Sequence, residues 1–317
     1  MTGPSVARTT QTLRILLVGA GAMGAPMAAN LAAAGHRLVV HDADPARAAQ
    51  VAAAAQGRAG DPQGLAAEAA EADVVLLMLP DSPAVEDVLT GSGGVLAAMR
   101  SGAVLLDMGS SSPASSVALA ARAGEAGVAW ADAPVSGGVS KAVTGELAIM
   151  VGASAETFLV VRPLLEVMGG DVRLVGPPGA GSAMKALNNL LSAIGLAAAS
   201  EVLAIGVNFG LDPAVMLGVV NGSTGRNHAT EVKMERFVLS RRFDSGFAMR
   251  LMVKDLRTAL DVARDTGTPA PLAAACLEQW NAAARELGRQ ADHTEIAAYV
   301  EARAGTLLDT TGEKKET

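Results

Sequence analysis

The chain has 317 residues, enough for about two domains, and a formal net charge of −7 without any basic block, which argues against a nucleic-acid partner. Hydrophobic residues make up 50% of the chain but aromatic residues only 3%, a composition that favours packed helices over an all-β fold. The single cysteine, Cys276, excludes an intramolecular disulfide framework and indicates a reducing, cytoplasmic location. We interpret it as a small buried hydrophobe rather than a nucleophile.

The first half of the chain alternates short apolar runs with helix-like segments. Continuous apolar runs are typical of buried parallel strands, which we predict at 14–19, 38–42, 74–79, 104–108, 129–134, 147–152 and 172–175. Helices are predicted between them at 22–34, 45–55, 62–71, 113–124 and 154–167. Asp44-Pro45 and Asp61-Pro62 resemble N-caps followed by a proline in the first turn. This βαβ series predicts an α/β fold with a doubly wound parallel sheet.

The second half of the chain reads as helical. Strand-like runs become scarce after residue 181, and a long apolar segment at 182–207 predicts a helix. Its most apolar part, 186–200, contains Asn188, Asn189 and Ser192 and is shorter than a membrane span, so we interpret it as a buried helix and expect no membrane association. The predicted organisation is a tail at 1–12, a nucleotide-binding domain at 13–176, a helical domain at 177–308 and a tail at 309–317.

A glycine motif follows the first predicted strand directly. Gly19, Gly21 and Gly24 form G-x-G-x-x-G, with Ala22 and Met23 before the third glycine. The first glycine would permit a tight turn, the second would let a pyrophosphate approach the backbone, and the third would let the helix pack on the strand. Free N–H groups at the helix N-terminus would then bind the phosphates. The motif predicts a dinucleotide site.

Asp42 lies at the end of the next predicted strand, about twenty residues after the glycines. An acid at this position can bind the adenosine ribose hydroxyls and would repel the 2′-phosphate of NADP. We therefore predict NAD as the cofactor, with NADP disfavoured. The alternative is an ordinary acid at a strand end or helix cap.

Two further clusters indicate a substrate site. Ser136-Gly137-Gly138 could turn several N–H groups and a hydroxyl toward one point and bind an anion, although it could equally be an ordinary glycine-rich loop. Lys185 and Asn189 are i, i+4 neighbours on a predicted helix, with Asn188 beside them. The alternative for these residues is capping and pairing at a domain junction.

Four motifs together resemble the β-hydroxyacid dehydrogenase family, which includes 3-hydroxyisobutyrate dehydrogenases and tartronate semialdehyde reductases. They are GAGAMGAPMAANL (19–31), DAPVSGG (132–138), GAGSAMKALNN (179–189) and LMVKDL (251–256), and they occur in the family's order over nearly the whole chain. The resemblance implies an N-terminal Rossmann domain and an all-helical C-terminal domain. It also implies a homodimer or homotetramer that oxidises a small polar β-hydroxy acid, or reduces its semialdehyde, with a nicotinamide cofactor.

The resemblance also implies roles for single residues. Lys185 matches the catalytic lysine, Asn189 a substrate-orienting residue, and Ser136, Gly137 and Gly138 the carboxylate-binding loop. Besides the glycine motif and Asp42, the implied cofactor-binding residues are Leu79, Pro80, Ser110 and Lys254. No metal site is implied.

Some readings stay open at the level of sequence. The chain could instead be an imine reductase of the same architecture, although those enzymes generally lack the lysine at position 185. It could also be a non-catalytic NAD(H)-binding protein. Lys141 could be a surface lysine or hold a second polar or anionic group of the substrate, and the polar loop 221–227 could be a specificity loop or a simple turn.

Overall fold

The computed structural model describes residues 12–288 and 290–309. The chain divides into two compact units between Lys185 and Ala186. The first unit is built on a twisted sheet with helices between its strands, and the second unit is helical. The predicted fold class is thereby confirmed.

The described part of the first unit holds nine strands in one sheet. They are β1 (Arg14–Val18), β2 (Arg37–His41), β3 (Arg58–Ala59), β4 (Val74–Leu77), β5 (Val104–Asp107), β6 (Ala129–Asp132), β7 (Val135–Ser136), β8 (Leu147–Ala153) and β9 (Gly169–Gly176). The order β3-β2-β1-β4-β5-β6 is parallel throughout. Strands β2 and β3 are added on one side of β1, and β4 to β6 on the other side. The carboxyl ends of β1 and β4, where the strand order switches, therefore form the usual ligand-binding crevice of such sheets.

The sheet departs from the all-parallel prediction after β6. Strand β8 runs antiparallel to both β6 and β7, because the connection from β7 to β8 is too short for the crossover that parallel strands require. Strand β9 then pairs in parallel with β8, with two register shifts along the pair. The very short β3 and β7 were not predicted from the sequence.

Helices of the first unit are α1 (Gly24–Ala33), α2 (Pro45–Ala54), α3 (Leu65–Glu71), α4 (Ser82–Thr90), α5 (Pro113–Glu125), α6 (Gly138–Thr144) and α7 (Ala155–Leu165). The predicted cap at Asp44 is confirmed, since its carboxylate accepts the N–H groups of Ala46 and Arg47. The predicted cap at Asp61 is wrong. Asp61 instead accepts the N–H of Gln63 in a turn, and α3 begins only at Leu65.

Both faces of the sheet are covered by apolar side chains. Along β1, Ile15 and Leu17 belong to one buried cluster and Leu16 and Val18 to a second cluster. Successive side chains of a strand point to opposite faces, so burial of all four explains the unbroken apolar run in the sequence.

The second unit consists of α8 (Ala180–Phe209, which begins in the first unit), α9 (Pro213–Asn221), a π-helical segment (Ala229–Leu239), α10 (Met249–Asp265), α11 (Pro271–Leu287), a 3₁₀ turn (His293–Glu295) and α12 (Ile296–Ala304). Trp280 is fully buried in its core, and Cys276 is buried there as predicted. The predicted burial of α8 holds for one face only. Leu196 is fully buried, whereas Leu191 is 72% exposed.

Candidate functional site

The three motif glycines form the turn between β1 and α1, and packing explains two of them. Gly19 has a φ of +102°, and a Cβ atom there would lie 2.4 Å from the carbonyl oxygen of Met78. A Cβ atom on Gly24 would lie 1.9 Å from the carbonyl oxygen of Gly19. Gly21 has nothing within 4 Å of such an atom. The turn is therefore closed by its outer glycines and leaves open space at the middle one.

Asp42, directly after β2, is bonded to that turn. One carboxylate oxygen accepts the N–H of Ala20 at 2.8 Å and the other accepts the N–H of Asp44 at 2.9 Å. The guanidinium of Arg47 lies 3.7 Å from the second oxygen. A negative charge is therefore fixed beside the glycine turn, at the carboxyl ends of β1 and β2.

The loops that follow β4 and β5 touch each other. A Cβ atom on Gly109 would lie 2.6 Å from the carbonyl oxygen of Leu79. Asp107 holds the second loop by accepting the N–H of Gly109 at 3.0 Å and the hydroxyl of Ser111 at 2.6 Å. Leu79, Pro80 and Ser110 consequently lie at the same edge of the sheet as the glycine turn.

The Ser136-Gly137-Gly138 loop joins β7 to α6. Its two glycines have φ angles of +131° and +69°, values that L side chains rarely adopt. A Cβ atom on Gly137 would lie 2.7 Å from Cδ of Lys141. The hydrocarbon stem of Lys141 thus folds back over the loop, although the residue as a whole is exposed.

Asp132, in the same DAPVSGG motif, holds the first turn of α8. Its buried carboxylate accepts the N–H of Gly179 at 2.7 Å and the N–H of Ser182 at 2.8 Å. A Cβ atom on Gly181 would lie 2.9 Å from the same carboxylate. Burial raises the pKa of Asp132, although the amide hydrogen bonds oppose that shift. Sequence reasoning quoted Asp132 within its motif but gave it no role.

Lys185 lies one turn further along α8, and its side chain is buried. The helix is thus fixed at its first turn by Asp132 and carries a buried lysine a few residues later. The second unit adds Asn189, whose side-chain N–H donates to Asp255 at 2.6 Å, with both residues buried. Lys254 places its ammonium 3.6 Å from Asp255. Lys254 was predicted from the LMVKDL motif, whereas its neighbour Asp255, an acid in the same motif, was not.

Polar side chains of the 221–227 loop bond to the loop itself and to the start of the π-helical segment that follows it. The side chain of Asn227 accepts the N–H groups of Ala229 and Thr230 and donates to the carbonyl of Gly225. The guanidinium of Arg226 lies 3.5 Å from the carboxylate of Glu231. Asn227 therefore caps the π-helical segment.

Comparison with known proteins agrees with this geometry. Residues 14–176 match the family model described as the NAD binding domain of 6-phosphogluconate dehydrogenase. Residues 179–300 match the model described as NAD-binding of NADP-dependent 3-hydroxyisobutyrate dehydrogenase.

Relatives of known activity cover most of the chain. The chain is 42% identical to 2-(hydroxymethyl)glutarate dehydrogenase of Eubacterium barkeri, over 83% of this chain and 87% of that protein. It is 36% identical to 2-hydroxy-3-oxopropionate reductase of Escherichia coli, over 93% of this chain and 100% of that protein. The solved structure of Mycobacterium tuberculosis 3-hydroxyisobutyrate dehydrogenase with L-serine matches with a TM-score of 0.84 and 33% identity, over 92% of this chain and 99% of that one.

Proposed function

This chain belongs to the β-hydroxyacid dehydrogenase family, and we propose that it transfers a hydride between NAD and a small polar β-hydroxy acid, with Lys185 as the general acid and base. The family membership makes it an NAD(P)-dependent oxidoreductase. The relatives support this activity over the imine reductase alternative. The observation that carries the role of Lys185 is a buried lysine side chain on a helix whose first turn is fixed by Asp132.

The glycine turn fits a dinucleotide. Its outer glycines allow the tight packing described above, and the open space at Gly21 is where a pyrophosphate would approach the backbone. Leu79, Pro80 and Ser110 would line the same edge of the sheet, and Lys254 would contact the cofactor from the helical unit. When bound, the nicotinamide accepts or supplies the hydride.

We propose NAD rather than NADP because of the charge at Asp42. A 2′-phosphate near this carboxylate would meet a like charge, whereas ribose hydroxyls can donate hydrogen bonds to it. Wild-type kcat/KM measured with NAD and with NADP tests this directly, and a clear NADP preference would contradict it. In Asp42→Asn the discrimination should shrink, while Asp44→Asn, which keeps its helix cap, should change it less.

The substrate carboxylate is proposed to bind at Ser136-Gly137-Gly138, where two glycines with positive φ angles could turn backbone N–H groups toward an anion. Asn189 would orient the substrate, and its hydrogen bond to Asp255 fixes the direction of its amide. During oxidation Lys185, in its neutral amine form, would take the proton from the β-hydroxyl oxygen and become an ammonium. In the reverse direction its ammonium would stabilise the developing alkoxide and protonate it.

A lysine variant tests the chemistry. Lys185→Ala should abolish turnover while the dissociation constant for NADH stays within about threefold of the wild type, because the lysine acts on the hydroxyl and not on the dinucleotide. Arg162→Ala, an exposed cation on α7, is the matched control and should retain full activity. Full activity in Lys185→Ala would overturn the assignment.

We further propose that the enzyme is a homodimer or homotetramer associating through the exposed apolar face of α8. Leu191, Ile205 and Phe209 are 72%, 70% and 83% exposed, and burying such a patch favours association.

The helix α8 is long and apolar enough to cross a membrane by length and composition alone. However, it carries the exposed Glu201 two turns before its last residue, and a charge inside a membrane span is costly in lipid.

Light scattering of the purified enzyme tests this surface. Leu191→Asp combined with Ile205→Asp should convert the oligomer to a monomer. A wild-type monomer in solution would contradict the proposal, and so would flotation of the wild type with lipid vesicles.

A further inference from the structure

Lys141, a cation to which the proposed function gives no role, lies on α6 beside the Ser136-Gly137-Gly138 loop. We propose that its ammonium pairs with the substrate carboxylate at this loop, so that charge as well as hydrogen bonding recognises the acid. This inference rests on the proposed function and names a further binding residue of the same site. The loop and the lysine both belong to the first unit.

Packing fixes the direction of the Lys141 side chain. A Cβ atom on Gly137 would lie 2.8 Å from Cβ, 3.1 Å from Cγ and 2.7 Å from Cδ of Lys141. Three successive carbons of the stem therefore lie along this glycine. Nζ is two bonds beyond Cδ, so the ammonium lies within about 5 Å of the same Cβ position on Gly137. The stem thus carries the charge to the loop, although the residue is exposed.

The backbone of Lys141 is also held in place. Asn30, on α1, donates from its side chain to the carbonyl of Ala142 at 2.7 Å, and Ala142 is fully buried. The carbonyl of Lys141 accepts the N–H groups of Gly145 and Glu146 at the end of α6. Because the segment is anchored at Lys141 and at the next residue, less conformational entropy is lost when the side chain binds an anion.

The charge of Lys141 is available to a ligand. Among residues 12–288 and 290–309, no carboxylate forms an ion pair with this ammonium. Glu146, the nearest acid in the sequence, accepts the hydroxyl of Thr144 at 3.0 Å instead. The chain has a formal charge of −7, which repels an anionic substrate over long range, and a cation at the loop offsets that repulsion locally. With three rotatable donors, an ammonium can bond to a carboxylate that also accepts N–H groups of the loop.

An ion pair at this place acts on binding and not on the hydride step. The carboxylate keeps its charge throughout the reaction, so the pair is equally strong with the substrate and in the transition state. Interactions of this kind lower KM and leave kcat unaltered. They are also weakened by salt, because dissolved ions screen the attraction between exposed charges.

The test uses the acid that the wild type oxidises best with NAD among 3-hydroxyisobutyrate, 2-(hydroxymethyl)glutarate and L-serine. Lys141→Met should raise KM for this acid about tenfold, as expected for the loss of a hydrogen bond to a charged group, with kcat within about twofold of the wild type. Raising NaCl from about 0.05 M to about 0.5 M should increase the wild-type KM several-fold and change the KM of Lys141→Met much less. Lys141→Arg keeps the charge and should have a KM within about threefold of the wild type.

Arg122→Met is the matched control, since it removes one exposed cation from the last turn of α5, shortly before β6 begins. It should leave KM and its salt dependence unchanged. In Lys141→Met the dissociation constant for NADH should stay at the wild-type value, and thermal melting should show that the variant is folded.

Four results would each overturn the role of Lys141: an unchanged KM in Lys141→Met, an equal rise in Arg122→Met, a wild-type KM that does not depend on salt, or a loss of NADH affinity that accounts for the effect. In those cases Lys185-dependent oxidation of the acid would leave the proposed function intact. If the wild type oxidised none of the three acids, both proposals would be rejected.

Discussion

Replacing Gly24 by alanine should destabilise the enzyme before any cofactor is added. The new Cβ atom would lie 1.9 Å from the carbonyl oxygen of Gly19, more than 1 Å closer than such atoms approach in folded proteins. Both partners are backbone, so the strand-to-helix turn itself must shift. Overpacking of this kind costs about 1–3 kcal/mol.

That cost translates into a measurable change in melting temperature. For a folding unit of 150–250 residues, 1 kcal/mol corresponds to about 2–4 °C, so a cost of about 1–3 kcal/mol should make Gly24→Ala melt about 2–12 °C below the wild type. Calorimetry of the cofactor-free enzyme measures it.

Gly21→Ala is the matched control because a Cβ atom there meets nothing within 4 Å. It should melt at or slightly above the wild-type temperature, since alanine restricts the unfolded chain. It should nevertheless bind NADH about tenfold or more weakly, because the added methyl group occupies the space proposed for the pyrophosphate. Equal melting temperatures for Gly24→Ala and the wild type, or unchanged NADH affinity in Gly21→Ala, would refute this account of the turn.

Three other variants or reagents probe features away from that turn. Burial favours a higher pKa for Asp292, but hydrogen bonds hold its pKa well below 3.8. The stability that the ionised carboxylate adds is therefore present near neutral pH and is lost as the pH falls. The free energies of unfolding of the wild type and of Asp292→Asn, measured in urea, should converge between about pH 5 and pH 2. Burial raises the pKa of the Cys276 thiol to about 11, so the native enzyme should resist a thiol-specific disulfide reagent at pH 8 and react only after unfolding. Asn30 donates to the carbonyl of Ala142 at 2.7 Å, and Asn30→Leu, which leaves that buried acceptor unpaired, should lower the free energy of unfolding by about 1–3 kcal/mol.

The sequence predicted the features whose causes are local. The glycine turn depends on neighbours within a few residues and on the strand before it, so its spacing was sufficient to place it. The apolar runs likewise marked seven of the nine described strands, because strands covered on both faces have few polar residues. Cys276 is buried, as predicted for a single cysteine interpreted as a small hydrophobe.

Features that depend on distant residues were not predictable in this way. Asp132 meets Gly179 and Ser182 across 47 and 50 residues, and Asn189 meets Asp255 across 66 residues. The spacing of apolar residues along the chain does not indicate which distant residues form hydrogen bonds with each other. The reversed direction of β8 was missed for a different reason, since an apolar run of its length looks the same in a parallel and an antiparallel strand.

Strand β9 has a consequence for how this protein avoids aggregation. In the part of the chain that the structure describes, β9 pairs with β8 alone, so it presents an edge that another chain could extend. Two register shifts break the regular spacing of the β8–β9 pair, and exposed Asp171 and Arg173 place charges along the strand. Both devices hinder edge-to-edge pairing and so work against open-ended extension of the sheet. The oligomer proposed above, which would form through a helical face, avoids such extension because its assembly can close.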